Sequence, residues 1–188
     1  MRVRNSSKSY GSVAMALHWA VVLLVLGAAL TGLFGDELPR GAAREAGHFA
    51  HVSFGLAILG FVLARLYWRL SDPPPLPIRS QFGEWGDRAA QLAHYAIYAL
   101  LIAIPVVGIA AQFAHGEPLP LFGLFEIASP WTADRAFAHD LKEVHEALAT
   151  GLMALVGLHA LAALVHHYVL HDRTLVRMLP ALRAGAAR

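Results

Sequence analysis

Cysteine is missing from the chain altogether. Its absence excludes disulfides, thiolate metal sites, iron–sulfur clusters and covalent attachment of a prosthetic group through a C-x-x-C-H motif. Charge is scarce as well. Only 15% of the 188 residues are Asp, Glu, Lys or Arg, well below the share of about one quarter usual in a soluble domain. The sequence has no internal repeat and no low-complexity stretch, and no segment of domain size is left over once its apolar runs are set aside. A single membrane domain over residues 1–188 is therefore expected, with no soluble catalytic domain and no nucleic-acid partner.

What is abundant is hydrophobic sequence, 57% of the chain. Four stretches, Val13–Phe34, Ala46–Leu70, Ala89–Phe113 and Val144–Leu170, are long enough to cross about 30 Å of hydrocarbon as helices. The expected fold is an all-α membrane protein, a four-transmembrane-helix bundle. The first stretch follows Arg2, Arg4 and Lys8 and so resembles a signal peptide. Its apolar core exceeds the roughly 7–15 residues of a signal h-region, which predicts a retained span.

The net charge of +2 says little, but its distribution is uneven. The N-terminal arm, the 64–88 region and the tail (Arg173, Arg177, Arg183 and Arg188 against Asp172) together carry +7, and the other two loops carry −5. By the positive-inside rule both termini are cytoplasmic and the acidic loops face outward. A multi-pass protein of the bacterial inner membrane is expected, in contact with membrane lipid. Trp19, Trp68, Trp85, Trp131 and Tyr168 fall near predicted helix ends, where amphipathic rings favour the headgroup layer. The proline run Pro73–Pro77 ends the second helix, because proline lacks a backbone donor and disfavours helix before it. Pro105 predicts a kink inside the third helix rather than a break. Gly27, Gly32, Gly55, Gly60, Gly108, Gly151 and Gly157 are points of close approach for helices or for a flat macrocycle.

Four of the eleven histidines lie inside apolar runs: His18, His51, His145 and His159. Deep intramembrane histidines are costly and need partners. His145 and His159 are 14 residues apart, which on a helix is nearly four turns, about 40° short of full register, and a rise of about 21 Å. Two ligands on one face, most of a bilayer apart, suit two haems better than one metal site. Neutral imidazole supplies a nitrogen ligand and haem iron offers two axial positions. Filling both favours electron transfer over oxygen binding. Helix direction then pairs His51 with His145 on the outer side and His18 with His159 on the inner side. His166 shares the face of His159 within about 20°, and pairing it with His18 would stretch the layers to about 32 Å, placing one haem half out of the bilayer. His94 in the third helix is another inner-side candidate. His48, His115 and His139 read as solvated loop residues, and His166, His167 and His171 as interfacial or tail residues.

These same residues resemble the bacterial cytochrome b561 family. The matching pieces are Leu17-His18-Trp19, His51-Val52-Ser53, Val62 to Leu66, His94 to Tyr98, Ile104 to Gly108, His145-Glu146, Gly157 to Ala160, His166-His167-Tyr168 and Asp172 to Pro180. The likeness covers roughly residues 10–180. It implies two non-covalent b haems, with His18 and His159 on the inner one and His51 and His145 on the outer one. It also implies oxidation of superoxide at the outer side with ubiquinone as acceptor, or service as a cytochrome b subunit for a redox partner.

The leading expectation is an oxidoreductase carrying electrons from superoxide to the ubiquinone pool. Lys142, three residues before His145, and Arg135 offer a local positive approach for the anion, although the outer loops as a whole are acidic. His94, His166 or His167 are candidates for supplying protons to a quinone. Arg65 and Arg69 are candidates for pairing with haem propionates, against a plainer role as snorkelling, topology-setting cations. One alternative is an electron-transfer subunit whose acidic loops dock a basic periplasmic redox protein. Another, from a different class, is a haem-free transporter with proton-relay histidines.

Overall fold

A computed structural model describes residues 2–78 and 83–179. Arg79, Arg183 and Arg188 of the charge count, and Pro180, lie outside the described residues. Among the described residues four helices are long and apolar enough to cross a membrane: α1 (Ser12–Phe34), α2 (Ala42–Ser71), α3 (Gly83–Ala114) and α4 (Arg135–Tyr168). In lipid every backbone donor and acceptor must be satisfied within the segment, which makes helix the stable state of such runs. A short 3-10 turn, Gly35–Glu37, leads from α1 to α2. Between α3 and α4 stands a two-stranded antiparallel hairpin, β1 (Leu119–Leu121) and β2 (Phe125–Ile127).

The helices outrun the apolar stretches. The sequence places the starts of α2, α3 and α4 at Ala46, Ala89 and Val144, and the structure places them at Ala42, Gly83 and Arg135. An apolar run measures the lipid-facing part of a helix, not its whole length. At α4 the extension has a visible cause. Asp134 caps the helix, its Oδ1 accepting from the backbone N–H of Ala136 and Phe137 at 3.1 Å each. The polar turns that follow are supported by i,i+4 pairs, His139 with Glu143 at 3.4 Å and Lys142 with Glu146 at 3.6 Å. His139 and Lys142 are thus helical rather than loop residues, and His48, also read as a loop residue, is an exposed position on α2. At its far end α4 stops at Tyr168, two residues short of the expected Leu170. α3 runs unbroken through Pro105.

α1 packs along α2 and α3 along α4, while α2 and α3 meet over a shorter length. The buried apolar core is a plug at mid-height made by Val21 and Val25 of α1, Ile58 and Val62 of α2, Leu101 of α3 and Leu152 of α4. Val21 and Val25 follow His18 on α1, Ile58 and Val62 follow His51 on the antiparallel α2, and Leu152 lies between His145 and His159 on α4. The core therefore separates two histidine layers.

The two ends differ in construction. At the basic end three segments are sewn together. The backbone N–H of Asn5 donates to Asp72 Oδ2 at 2.8 Å, and the Asn5 side-chain amide donates to the carbonyls of Asp72 (2.9 Å) and Pro73 (3.2 Å). Asp72 is buried. The guanidinium of Arg177 donates to Leu76 O at 2.8 Å, and the Trp19 indole N–H donates to Met178 O at 2.8 Å. Gly11 makes the arm possible, because a Cβ there would stand 2.2 Å from the carbonyl oxygen of Val3. The acidic end carries the 3-10 turn, the hairpin and the first turns of α4.

Candidate functional site

The layer at the acidic end brings together His51 of α2 and His145 of α4. Their ring centres lie 5.9 Å apart with planes at 72°. Each ring is oriented by a backbone carbonyl. His51 Nδ1 donates to Ala28 O at 3.0 Å, with Thr31 Oγ1 at 3.4 Å from the same nitrogen, and His145 Nδ1 donates to Ile104 O at 3.0 Å. A carbonyl only accepts, so both rings carry their proton on Nδ1, and the Nε2 lone pairs are left for a ligand. A hydrogen bond from the remote ring nitrogen is how metal-bound histidines are held in tautomer and orientation. Glycine makes room for both rings. A Cβ at Gly32 would stand 2.9 Å from His51 Cε1, and one at Gly108 3.2 Å from His145 Cε1.

The layer at the basic end is more crowded. It gathers His18 of α1 with Arg65 of α2, and His94 of α3 with His159 of α4. The Arg65 guanidinium donates to His18 Nδ1 at 2.7 Å and lies 5.6 Å from the centre of the Tyr98 ring. Because arginine can only donate, His18 here carries its proton on Nε2, the opposite tautomer from His51 and His145. His94 Nδ1 donates to Ala90 O at 2.7 Å, and its ring stands 5.1 Å from that of His159 at 79°. Among the described residues the ring contact of His159 is with His94.

The remaining candidates are placed as follows. Arg69 is an exposed residue of the last turn of α2, within electrostatic reach of His94. Lys142 sits one turn before His145 on α4, exposed and paired with Glu146. His166 is clear of both layers, its Nδ1 donating to Asp172 Oδ2. Asp172 also accepts the backbone N–H of Thr174 at 2.7 Å. Burial pushes the Asp172 carboxyl up, but the hydrogen bonds from His166 and Thr174 outweigh it and leave the group below its ordinary range. Sequence reasoning missed the Asp172 partnership and the Trp68 indole. The Trp68 N–H is buried without an acceptor, as is the Ser53 hydroxyl.

A bound group has to fit these facts. Among the described residues no three His, Cys, Asp or Glu side chains converge as a metal site. A haem asks for only two protein ligands, because its own ring fills the equatorial positions. Two imidazoles on one metal ion with bonds of about 2 Å have ring centres about 6 Å apart. His51 and His145 meet that spacing with both Nε2 atoms free, so this pair fits.

These features define a four-helix membrane protein with two histidine layers, in which imidazoles from different helices stand close together. The family model for prokaryotic cytochrome b561 matches residues 9–181. A protein named probable superoxide oxidase CybB, from Yersinia pestis, is 37% identical over 176 residues, which are 94% of this chain and 98% of that one. Cytochrome b561 homolog 2 of Escherichia coli (strain K12) is 32% identical over 181 residues, 95% of each chain. A cytochrome b562 of Cereibacter sphaeroides is 30% identical over 178 residues, 90% of this chain and 94% of that one. The chain belongs to the prokaryotic cytochrome b561 family. It is an integral membrane protein of electron transport that binds b-type haem.

Proposed function

We propose that this cytochrome holds two b haems, one at each histidine layer, and oxidises superoxide at the acidic end while reducing ubiquinone in the membrane. The observation that carries the reading is the His51–His145 pair, with its spacing and its two Nδ1–H anchors. When bound, each haem supplies one-electron exchange between ferric and ferrous iron. The balanced reaction takes one electron from each of two superoxide ions, releasing two dioxygen, and adds two electrons and two protons to one quinone. The uneven charge supports an orientation with both termini cytoplasmic in an inner membrane, so that the acidic end meets superoxide outside the cell's cytoplasm.

The residues divide the work. His51 and His145 hold the outer group, and the mid-height apolar plug keeps water out from between the layers. His18 and His159 hold the inner group, at a rise of about 21 Å along α4 from His145. For that His18 must give up its Nδ1 contact with Arg65 and turn its Nε2 lone pair inward. A carboxylate of the inner haem would draw Arg65 away, and the buried, acceptor-free indole N–H of Trp68, one turn along the same helix face, is a second donor for it. Lys142 gives superoxide a positive point of approach one turn from His145, partly offset by Glu146. Superoxide added to the protein in vesicles containing ubiquinone should yield quinol, and His51→Ala should abolish this. A wild-type protein that keeps its haem oxidised under superoxide rejects the substrate while leaving the haem sites standing.

A second reading of the inner layer has an observation of its own. His94 already presents Nε2 and stands 5.1 Å from His159, so His94 with His159 is the alternative ligand pair. In that case His18 and Arg65 would serve the haem edge, and His94 would not supply protons to quinone. A third reading keeps both haems but takes the electrons from a basic redox protein docked on the acidic loops. A stoichiometric partner retained on purification would support it.

A further inference from the structure

The hairpin between α3 and α4 is amphipathic in a way that its size does not require. Its register pairs Leu119 with Ile127, Pro120 with Glu126 and Leu121 with Phe125. Side chains alternate across a strand, so Leu119, Leu121, Phe125 and Ile127 share one face, and Glu126 with Pro120 the other. Leu119 is buried and roots the hairpin in the bundle, where β1 packs on α2 and α3. Beyond that root the apolar side chains stand open. Phe125 is 58% exposed and Ile127 43%, and at the tip Phe122 is 50% and Leu124 81% exposed. From Leu119 to Phe125 the sequence has no ionisable side chain.

The turn sharpens the point. Leu124 N–H donates to Leu121 O at 2.9 Å, and both central residues are left-handed, Phe122 at φ 53° and Gly123 at φ 73°. Such a turn is best served by asparagine or glycine at its first central position. A phenylalanine held there is conformationally disfavoured, so the ring is paid for by something outside the hairpin's own geometry.

Height identifies what covers it. The tip leans on α2, where a Cβ at Gly123 would stand 3.4 Å from the ring of Phe49. Phe49 is itself exposed, belongs to the apolar part of α2, and lies two residues before His51. The tip is therefore level with the lipid-facing start of a membrane span, where apolar side chains meet headgroups and upper acyl chains.

We propose that this hairpin is a membrane-interface anchor, its Phe122, Leu124, Phe125 and Ile127 side chains seated in the lipid at the acidic end of the bundle and its Glu126 edge turned to water. The inference rests on the spans alone and is independent of the number of haems and of the electron donor. Seated so, the hairpin is fixed beside the His51–His145 layer instead of swinging in solvent.

The absence of cysteine makes the test direct. Leu124→Cys and Glu126→Cys each create a single labelling site for an environment-sensitive fluorophore in the haem-loaded protein, reconstituted in phosphatidylcholine–phosphatidylglycerol vesicles. The label at 124 should emit to the blue and be quenched by lipids carrying a nitroxide near the headgroup, but hardly by aqueous iodide. The label at 126 should show the reverse. Equal quenching of both by iodide overturns the proposal. So does a label at 124 shielded from iodide and lipid nitroxide alike, which would mean that protein, such as a second copy, covers the tip. Phe122→Asn supplies a variant that relieves the turn. It should keep its haem and melt in detergent no lower than the wild type, yet reduce lipid quenching of a label at 124 in the same chain, and unchanged quenching contradicts the anchor role of that ring.

Discussion

His51 and His145, contributed by helices on opposite hairpins of the bundle, face each other with ring centres 5.9 Å apart, and each spends its Nδ1 proton on a backbone carbonyl of a neighbouring helix. The carbonyls belong to Ala28 of α1 and Ile104 of α3. All four helices thus take part in aiming two nitrogen atoms.

The glycines beneath these rings should matter as much as the rings' own positions. Gly32→Ala and Gly108→Ala each push a methyl group against an imidazole, at 2.9 Å and 3.2 Å from a ring carbon. On the proposed two-haem reading, either substitution should disturb the haem of this layer, read as a shifted midpoint potential and an altered α-band, while the other haem is unchanged. Gly35→Ala, in the 3-10 turn outside the spans and with nothing within 4 Å of an added Cβ, is the control and should leave the spectrum alone.

Asp172 makes the docking of the tail acid-sensitive. Its folded pKa lies below the ordinary carboxylate value, so the stability it contributes is fully present above the unfolded value of about 4 and is lost as pH falls through the depressed folded value. Melting curves between pH 7 and pH 3 should show the wild type losing stability faster than Asp172→Asn at the acid end. At neutral pH the Asn variant should be weaker by about 1–3 kcal/mol, the cost of two charge-assisted hydrogen bonds.

Asn5 ties the N-terminal arm to the buried Asp72. Asn5→Ala removes the amide that donates to the Asp72 and Pro73 carbonyls and that accepts from Gly11 N at 2.8 Å. The variant should lose about 1–3 kcal/mol and expose the arm to limited proteolysis, with the haem spectrum intact. A change in that spectrum would mean that the arm reaches further into the bundle than these hydrogen bonds do.

If superoxide is captured beside Lys142, charge there should set the rate. Lys142→Gln should slow superoxide-driven reduction by about two- to tenfold and flatten its dependence on ionic strength, and Glu146→Gln should do the opposite. Rates indifferent to both would place the approach of the donor elsewhere.

The spans were legible because length and apolarity are written into consecutive residues. The histidine layers were legible because helical geometry converts the 14-residue step from His145 to His159 into depth. Tertiary hydrogen bonds were not legible. No local pattern says that Ile104 O, 41 positions before His145, receives its proton, or that Arg65 reaches His18 across two helices. The long starts of α3 and α4 were missed because their first turns are held by a cap and by charge pairs instead of hydrophobicity. The hairpin escaped notice because strands of three residues carry too short a period to stand out between two spans. His94 was named as a candidate, but its closeness to His159 depends on how α3 packs on α4, which sequence spacing within either helix does not encode.

The central claim is tested most directly by counting haem. The purified protein, His51→Ala, His145→Ala and the double variant would each be assayed for b haem per chain together with a reduced-minus-oxidised spectrum. The account predicts about two low-spin haems in the wild type and loss of one and the same haem in both single variants, with no further loss in the double. The contradicting result is a double variant that loses more than either single, or haem content untouched by all three, since His51 and His145 would then not share one iron.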